Sequence, residues 1–467
     1  MSIYPFSFWV VIALLLIGLK WSIKRIKNGI GIPMLSVIVT VSVWYVGDAL
    51  YNDYSNIYTV FFGPDILQNA WWQVAWFMVV FLAAAPHVHQ RLNARYLGRE
   101  SGVLRLARFG IDDPTLQQLL NFLFGVCVVL YTIIVLLAAI RLKSQILYFF
   151  SPYFGYKADP WTRERIGSGF DALLSLAFYI QLLLTTIFGV VAAASNNKRI
   201  CIFSVALCFL SWPYFLFDRT RNTILVVVIP ATLCWVVLRI RGCILKKIFI
   251  LCGCFILLDG WMGFIIQNRT SLSIAMALHE KGFNLKEDIR AHHDGLNMFE
   301  ELCWIDAFIQ AGTFEPDWGE RYFAELVNPI PRALWHGKPL IGIDYAQARG
   351  QGFDGSGGKE KRQANIYATI STGLIGQGVV NFGTIFGPAA AALLMSIWVT
   401  ILARLDLRVD KLGFFPLYAL GLILTFNLGR DITFITLYPF VFGLAAVWFL
   451  DRYAQDYIRK DKPSELG

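Results

Sequence analysis

Residues 216–237 read LFDRTRNTILVVVIPATLCWVV: Asp218, Arg219 and Arg221 in close succession, then an unbroken apolar run. Comparable runs recur along the chain, several reaching about 18 residues, the length a helix needs to cross a hydrocarbon core. They are apolar all round, whereas the helices of a soluble domain keep a polar face. With 57% hydrophobic and 16% charged residues in 467, the expected fold is an all-α polytopic membrane protein. The net charge of +9 then reflects the excess of Lys and Arg on cytoplasmic connectors and implies no nucleic-acid partner.

Eleven runs stand out, near 4–19, 32–51, 66–86, 119–141, 170–194, 200–217, 222–238, 248–266, 373–403, 413–428 and 432–450. About 11 transmembrane helices are expected, with 10 to 12 compatible, because the 373–403 run exceeds the roughly 20 residues one span needs. Its opening, GLIGQGVVNFGTIFGP, suits a bent or half-inserted segment. The organisation expected is helices 1–8 over 1–266, a large outer loop over 267–372, C-terminal helices over 373–450 and a cytoplasmic tail over 451–467. No basic residue precedes Phe6, so the first helix reads as retained rather than as a cleaved signal.

Alternate connectors are basic: Lys20, Lys24, Arg25 and Lys27; Arg91, Arg95, Arg99, Arg105 and Arg108; NNKR at 196–199; RIRGCILKK from Arg239; RLDLRVDK from Arg404. The positive-inside rule makes that side cytoplasmic. The connector from Arg141 to Ser168 fits less well, carrying five cations on the outer side; reversing it would break the four connectors that follow. On this assignment Arg219, Arg221 and Arg430 face outward, so they are not cytoplasmic anchors.

The outer loop carries most of the polar chemistry. DGLNMFEELCWIDAFIQAG, from Asp294, has apolar residues near helical spacing, and Gly312 is a plausible stop. NPIPRALWHGKP, 328–339, is held extended by three prolines with Arg332, His336 and Lys338 between them. Cys303 is the loop's one cysteine, so no disulfide framework forms within it. Cys252 and Cys254, inside an apolar run, read as small hydrophobes rather than a metal pair. Adjacent His292 and His293 diverge and chelate poorly, and no compact acidic cluster is seen, so neither a metal nor another cofactor is expected.

Outward-facing arginines suit phosphate, which guanidinium grips in bidentate fashion at any physiological pH. A lipid-linked diphosphate presents its charge at that depth, and fixed cations would stabilise the charge developing as it leaves. Arg221, Arg332 and Arg430, with Arg219 and Lys338, are the candidate diphosphate ligands; Arg290 is a further loop cation. A base for an acceptor hydroxyl would come from His293, Glu301 or Asp306, with His292 a neighbouring candidate. Asp48 and Asp259 are carboxylates within apolar runs, serving either function or helix pairing.

RTRN at 219–222, NPIPRALWHGKP, STGLIGQGVVNFGTIFGP at 371–388 and LGRD at 428–431 together resemble the Wzy-type polymerases of O-antigen and oligosaccharide repeat units. The resemblance covers roughly 200–450. It implies a GT-C-like membrane glycosyltransferase of the bacterial inner membrane, working on the periplasmic face. The growing glycan would pass from undecaprenyl diphosphate onto a new lipid-linked repeat unit, so undecaprenyl-diphosphate-linked oligosaccharide is both donor and acceptor. Membrane lipid and a chain-length regulator protein are the further expected partners. The family's outer-face arginine pattern falls on Arg221, Arg332 and Arg430. Three alternatives stand beside it: an O-antigen ligase using the same donor, a transferase using single-sugar polyprenyl phosphates, and a transporter or flippase of lipid-linked oligosaccharide. A transporter predicts inverted repeats and broken helices at mid-membrane, and neither is legible.

Overall fold

The computed structural model describes residues 4–51, 58–109, 114–150, 158–161, 171–217, 221–240, 244–267, 298–327, 330, 334–335, 337–339, 371–408 and 414–460. Among the described residues every regular element is helical. This is what lipid demands of a chain whose backbone polar groups must all be satisfied within one segment.

The helices, in order, are α1 (Phe6–Lys24), α2 (Gly31–Val41), α3 (Tyr58–Leu92), α4 (Gly102–Phe109), α5 (Pro114–Leu142), α6 (Ile146–Phe150), α7 (Asp171–Ala194), α8 (Lys198–Leu216), α9 (Arg221–Leu238), α10 (Ile244–Gln267), α11 (Met298–Gln310), α12 (Glu320–Val327), α13 (Leu374–Asp406), α14 (Phe414–Leu428) and α15 (Phe434–Lys460). A π-helical turn, Ser42–Gly47, and the short helix Asp48–Tyr51 prolong α2. Each apolar run of the sequence coincides with a helix, and among the described residues eight helical segments are long and apolar enough to cross a membrane. The chain is thus a helical polytopic membrane protein. Its outer surface fits that environment: Phe203 and Phe209 on α8 and Phe249, Ile256 and Leu257 on α10 project apolar side chains outward. Cys252 lies on that exposed side of α10 too, a lipid-facing rather than a core position.

The core runs where α13 lies along α3 and where α7 lies against α9. The bend expected in the 373–403 run is at Gly383, whose φ of 76° and ψ of −179° no helix accommodates. Beyond it the chain doubles back. A Cβ on Gly378 would stand 2.2 Å from the Gly387 carbonyl oxygen, so the two backbones are in direct contact. Along a straight helix residues this far apart in sequence would lie about 13 Å from one another. The segment 374–382 is therefore a short helix folded against the start of the long helix 384–406, with glycines where they meet.

Two loop-derived helices support this hairpin. α11 occupies the segment expected to be helical, and Gly312, in the left-handed region at φ 68°, follows its end. The first turn of α11 is capped from far along the chain. Asp48 Oδ2 accepts from the Phe299 and Glu300 amides at 2.7 and 3.2 Å, while Oδ1 accepts from the Tyr58 hydroxyl at 2.7 Å. A carboxylate at a helix N-terminus satisfies otherwise orphaned amides and complements the helix dipole. Asp48, a functional candidate from its apolar surroundings, is in this fold a structural cap.

Candidate functional site

Two motifs far apart in sequence are joined residue by residue. STGLIGQ and LGRDI meet through Leu374 N–H to Gly429 O (2.9 Å), Ile432 N–H to Gln377 Oε1 (2.7 Å) and Gln377 Nε2 to Ile432 O (3.1 Å). Thr372 donates to Asp431 Oδ1 from its amide (3.2 Å) and its hydroxyl (3.0 Å). Arg430 Nη2 donates to Ser371 Oγ at 3.2 Å. The Tyr45 hydroxyl, from the π turn after α2, accepts from the Ile375 amide at 2.8 Å and so meets the first turn of the short helix.

Against this seam lies α12. Its Arg321 is 5% exposed, with Nε and Nη1 buried and lacking a hydrogen-bond partner, and its charge acts on Asp431. Enclosure raises the Asp431 pKa above the usual carboxylate range; Arg321, the Thr372 and Ser371 hydroxyls and Arg430 oppose that rise. Tyr322 next to it donates its amide to Asn381 Oδ1 at 3.1 Å, and burial raises its phenol pKa. The charges of two guanidinium groups thus act on one carboxylate at the start of the short helix, and two buried Arg321 nitrogens have donor capacity left over.

The second feature is a cleft of about 460 Å³ beside the Gly383 bend, where α3, α11 and the start of the long helix come together. Trp72, Gln73 and Trp76 line it from α3, Asp306 and Gln310 from α11, and Thr384 from α13. The indole of Trp76 donates to Ile385 O at 3.0 Å, which fixes one wall. Gln73 Nε2 reaches both Asp306 oxygens, at 2.7 and 2.8 Å. Burial pushes the Asp306 carboxyl up to about 7, against the Gln73 hydrogen bond that lowers it. A carboxyl balanced near neutrality in a largely apolar cleft is suited to taking a proton from a bound hydroxyl. The half-exposed indoles offer flat apolar faces of the kind that stack on a sugar ring.

The cleft and the seam share one support. Ile305, next to Asp306, packs against Gly376 of the short helix, and Asp317 N–H donates to Val380 O at 3.0 Å ahead of α12.

Of the residues singled out from sequence, Arg430 and Asp306 lie in these two places. Glu301 is buried near the start of α11. Lys338 is buried as well, its Nζ donating to Ile330 O at 3.0 Å, so it staples the proline-rich stretch. Asp259 is exposed on α10. Arg221 is the first residue of α9. His292, His293, Arg290, Arg219, Arg332 and His336 lie outside the described residues. Sequence reasoning passed over Arg321, Tyr45, Gln73 and the two tryptophans. In ERYFAELV, Arg321 and Glu325, four apart on one helical face, are both buried with Ala324, although their spacing alone reads as a solvated ion-pairing face. Among the described residues no three His, Cys, Asp or Glu side chains gather as a metal site would require.

Comparison of the chain with protein-family models, with curated proteins and with solved structures gives no match.

Proposed function

We propose that this chain is a membrane glycosyltransferase that polymerises lipid-linked oligosaccharide, with the fold crossing the bilayer eleven times in a GT-C-like arrangement. The three shorter apolar helices, 223–236, 414–428 and 436–449, would complete the eight longer spans. The seam and the cleft would open to the periplasmic face of a bacterial inner membrane, opposite the basic connectors.

The observation that carries the reading is the buried Arg321 guanidinium, two of whose nitrogens lack acceptors, beside a seam where its charge and that of Arg430 act on Asp431. A diphosphate entering there supplies the acceptors, in the geometry guanidinium groups favour. Arg221 and Arg332 are its expected further ligands. In the reaction, an acceptor sugar held in the cleft attacks the anomeric carbon of the donor glycan through one hydroxyl oxygen. That new C–O bond replaces the bond from the anomeric carbon to the diphosphate oxygen, whose electron pair leaves with undecaprenyl diphosphate. The Asp306 carboxylate takes the hydroxyl proton, and the arginines stabilise the charge gathering on the leaving group.

The test uses purified protein in liposomes supplied with undecaprenyl-diphosphate-linked repeat units. Wild type is expected to form a ladder of polymers. Arg321→Gln and Arg430→Gln are each expected to leave only single repeats, a fall of about 100-fold or more. Ladders of normal length in both variants would refute the arginine site. Translocation of the lipid-linked units without polymerisation would assign the chain to the transporters instead.

A further inference from the structure

The opposite, basic end of the molecule holds a second polar site that the glycan reaction does not use. At and beyond the last turns of α3 and α13, Arg99, Arg404 and Arg408 surround Tyr96, and Arg25, following α1, lines the cavity next to it. Three guanidinium groups gather on one ring: Arg99, Arg404 and Arg408 lie 5.4, 5.6 and 5.6 Å from the centroid of Tyr96. A hydrogen bond from Arg404, with the charge of the neighbouring arginines, holds the Tyr96 hydroxyl below its usual pKa, which marks an excess of positive charge. Of the acidic groups nearby, Asp406 accepts from the Val103 amide through Oδ1 at 2.8 Å while its buried Oδ2 has no hydrogen-bond partner, and Glu100 has a partner of its own; neither lines the cavity beside Tyr96.

Beside Tyr96 a cavity of about 140 Å³ is lined by Arg25, Asn28, His89, Gln90, Tyr96 and Arg99, and by no carboxylate. A water molecule's share of liquid volume is about 30 Å³, so a phosphate group fits with water to spare. His89 sets the polarity of its inner wall. Asn93 Nδ2 donates to Thr400 O at 3.0 Å, which fixes the amide orientation, and the same nitrogen lies 3.1 Å from His89 Nδ1. Nδ1 is therefore the acceptor and Nε2 carries the hydrogen. That Nε2 donor is buried, in a residue 4% exposed, and has no hydrogen-bond partner. Two guanidinium groups and an unpartnered ring N–H, with no carboxylate in the lining to oppose them, describe a pocket suited to an anion.

We propose that this cavity binds a phosphate group, held by Arg25, Arg99 and the His89 Nε2 hydrogen. The phosphate belongs either to an anionic phospholipid of the adjoining leaflet or to a soluble phosphate compound.

The test measures the melting temperature of the purified full-length protein in two arms. One titrates inorganic phosphate in detergent; the other compares nanodiscs of phosphatidylcholine with and without phosphatidylglycerol. Wild type is expected to show a saturable rise, in the phosphatidylglycerol arm alone for a lipid headgroup, and in the inorganic-phosphate arm for a free phosphate. The double variant Arg25→Gln/Arg99→Gln, altered only at partly or fully exposed positions, is expected to melt like wild type without ligand and to half-saturate about tenfold higher or more. His89→Phe keeps every arginine and is expected to lose the rise as well; Gln90→Leu, at an exposed cavity position, replaces it should His89→Phe fail to fold. No rise in wild type in either arm would overturn the site. An undiminished rise in either the arginine or the His89 variant would overturn it too, because it would reduce the effect to general surface charge.

Discussion

Asp48, which caps the first turn of α11, and Asp306, within α11, are both almost wholly buried, yet their surroundings differ. Asp48 meets three donors: two amides of the first turn of α11 and the Tyr58 hydroxyl. Asp306 meets one amide side chain, from Gln73, and borders a cleft. A carboxylate saturated with donors holds a fold together and has no capacity for chemistry. One left short of donors by burial is raised toward neutrality and exchanges a proton at little cost. Burial alone therefore does not distinguish a structural carboxylate from a reactive one; the donor count does.

The comparison breaks most forcefully at Asp48. Asp48→Ala leaves two helix amides and a hydroxyl unsatisfied in the interior, an expected loss of about 4 kcal/mol read as a lower melting temperature. A loss of activity with unchanged melting would contradict the structural role.

The next effect is in pH. The folded pKa of Asp306, about 7, exceeds the ordinary 3.8. The folded state therefore holds this proton more tightly than the unfolded chain. Its contribution is fully present below pH 3.8, is lost as pH rises through 7, and is constant above. Between pH 5 and 8 the loss is expected to be about 3 kcal/mol, and Asp306→Asn removes that part of the pH dependence. Melting curves of the two proteins across this range provide the check.

Smallest of the three is Tyr58→Phe, which deletes one of the three Asp48 bonds and spares the helix amides. An expected cost of about 1 kcal/mol, with polymer length unchanged, would sharpen the division between the two carboxylates.

Much of the scaffold was legible in the residues themselves. Apolar runs announced the helices, the glycines of GLIGQGVVNFGTIFGP announced the bend, and the periodicity of 294–312 announced α11 with Gly312 beyond its end. Arg430 and Asp306 were legible as well, the first as a charge beside an apolar run and the second as a carboxyl in the loop. Arg321 was not, because ERYFAELV has the composition of a solvated helix and is buried only by contact with a segment 50 to 60 residues further on. The cap formed by Asp48 escaped notice for the same reason: its amides lie some 250 positions away. Local pattern reports which segments leave water, and long-range contact decides which polar groups go with them.

The central claim, that Asp306 carries chemistry while Asp48 carries structure, is tested most directly by Asp306→Asn in liposomes with lipid-linked repeat units. The account predicts a protein that melts no lower than wild type at pH 8, binds the substrate and forms polymer at least about 100-fold more slowly. Polymer formed by Asp306→Asn at the wild-type rate would contradict it.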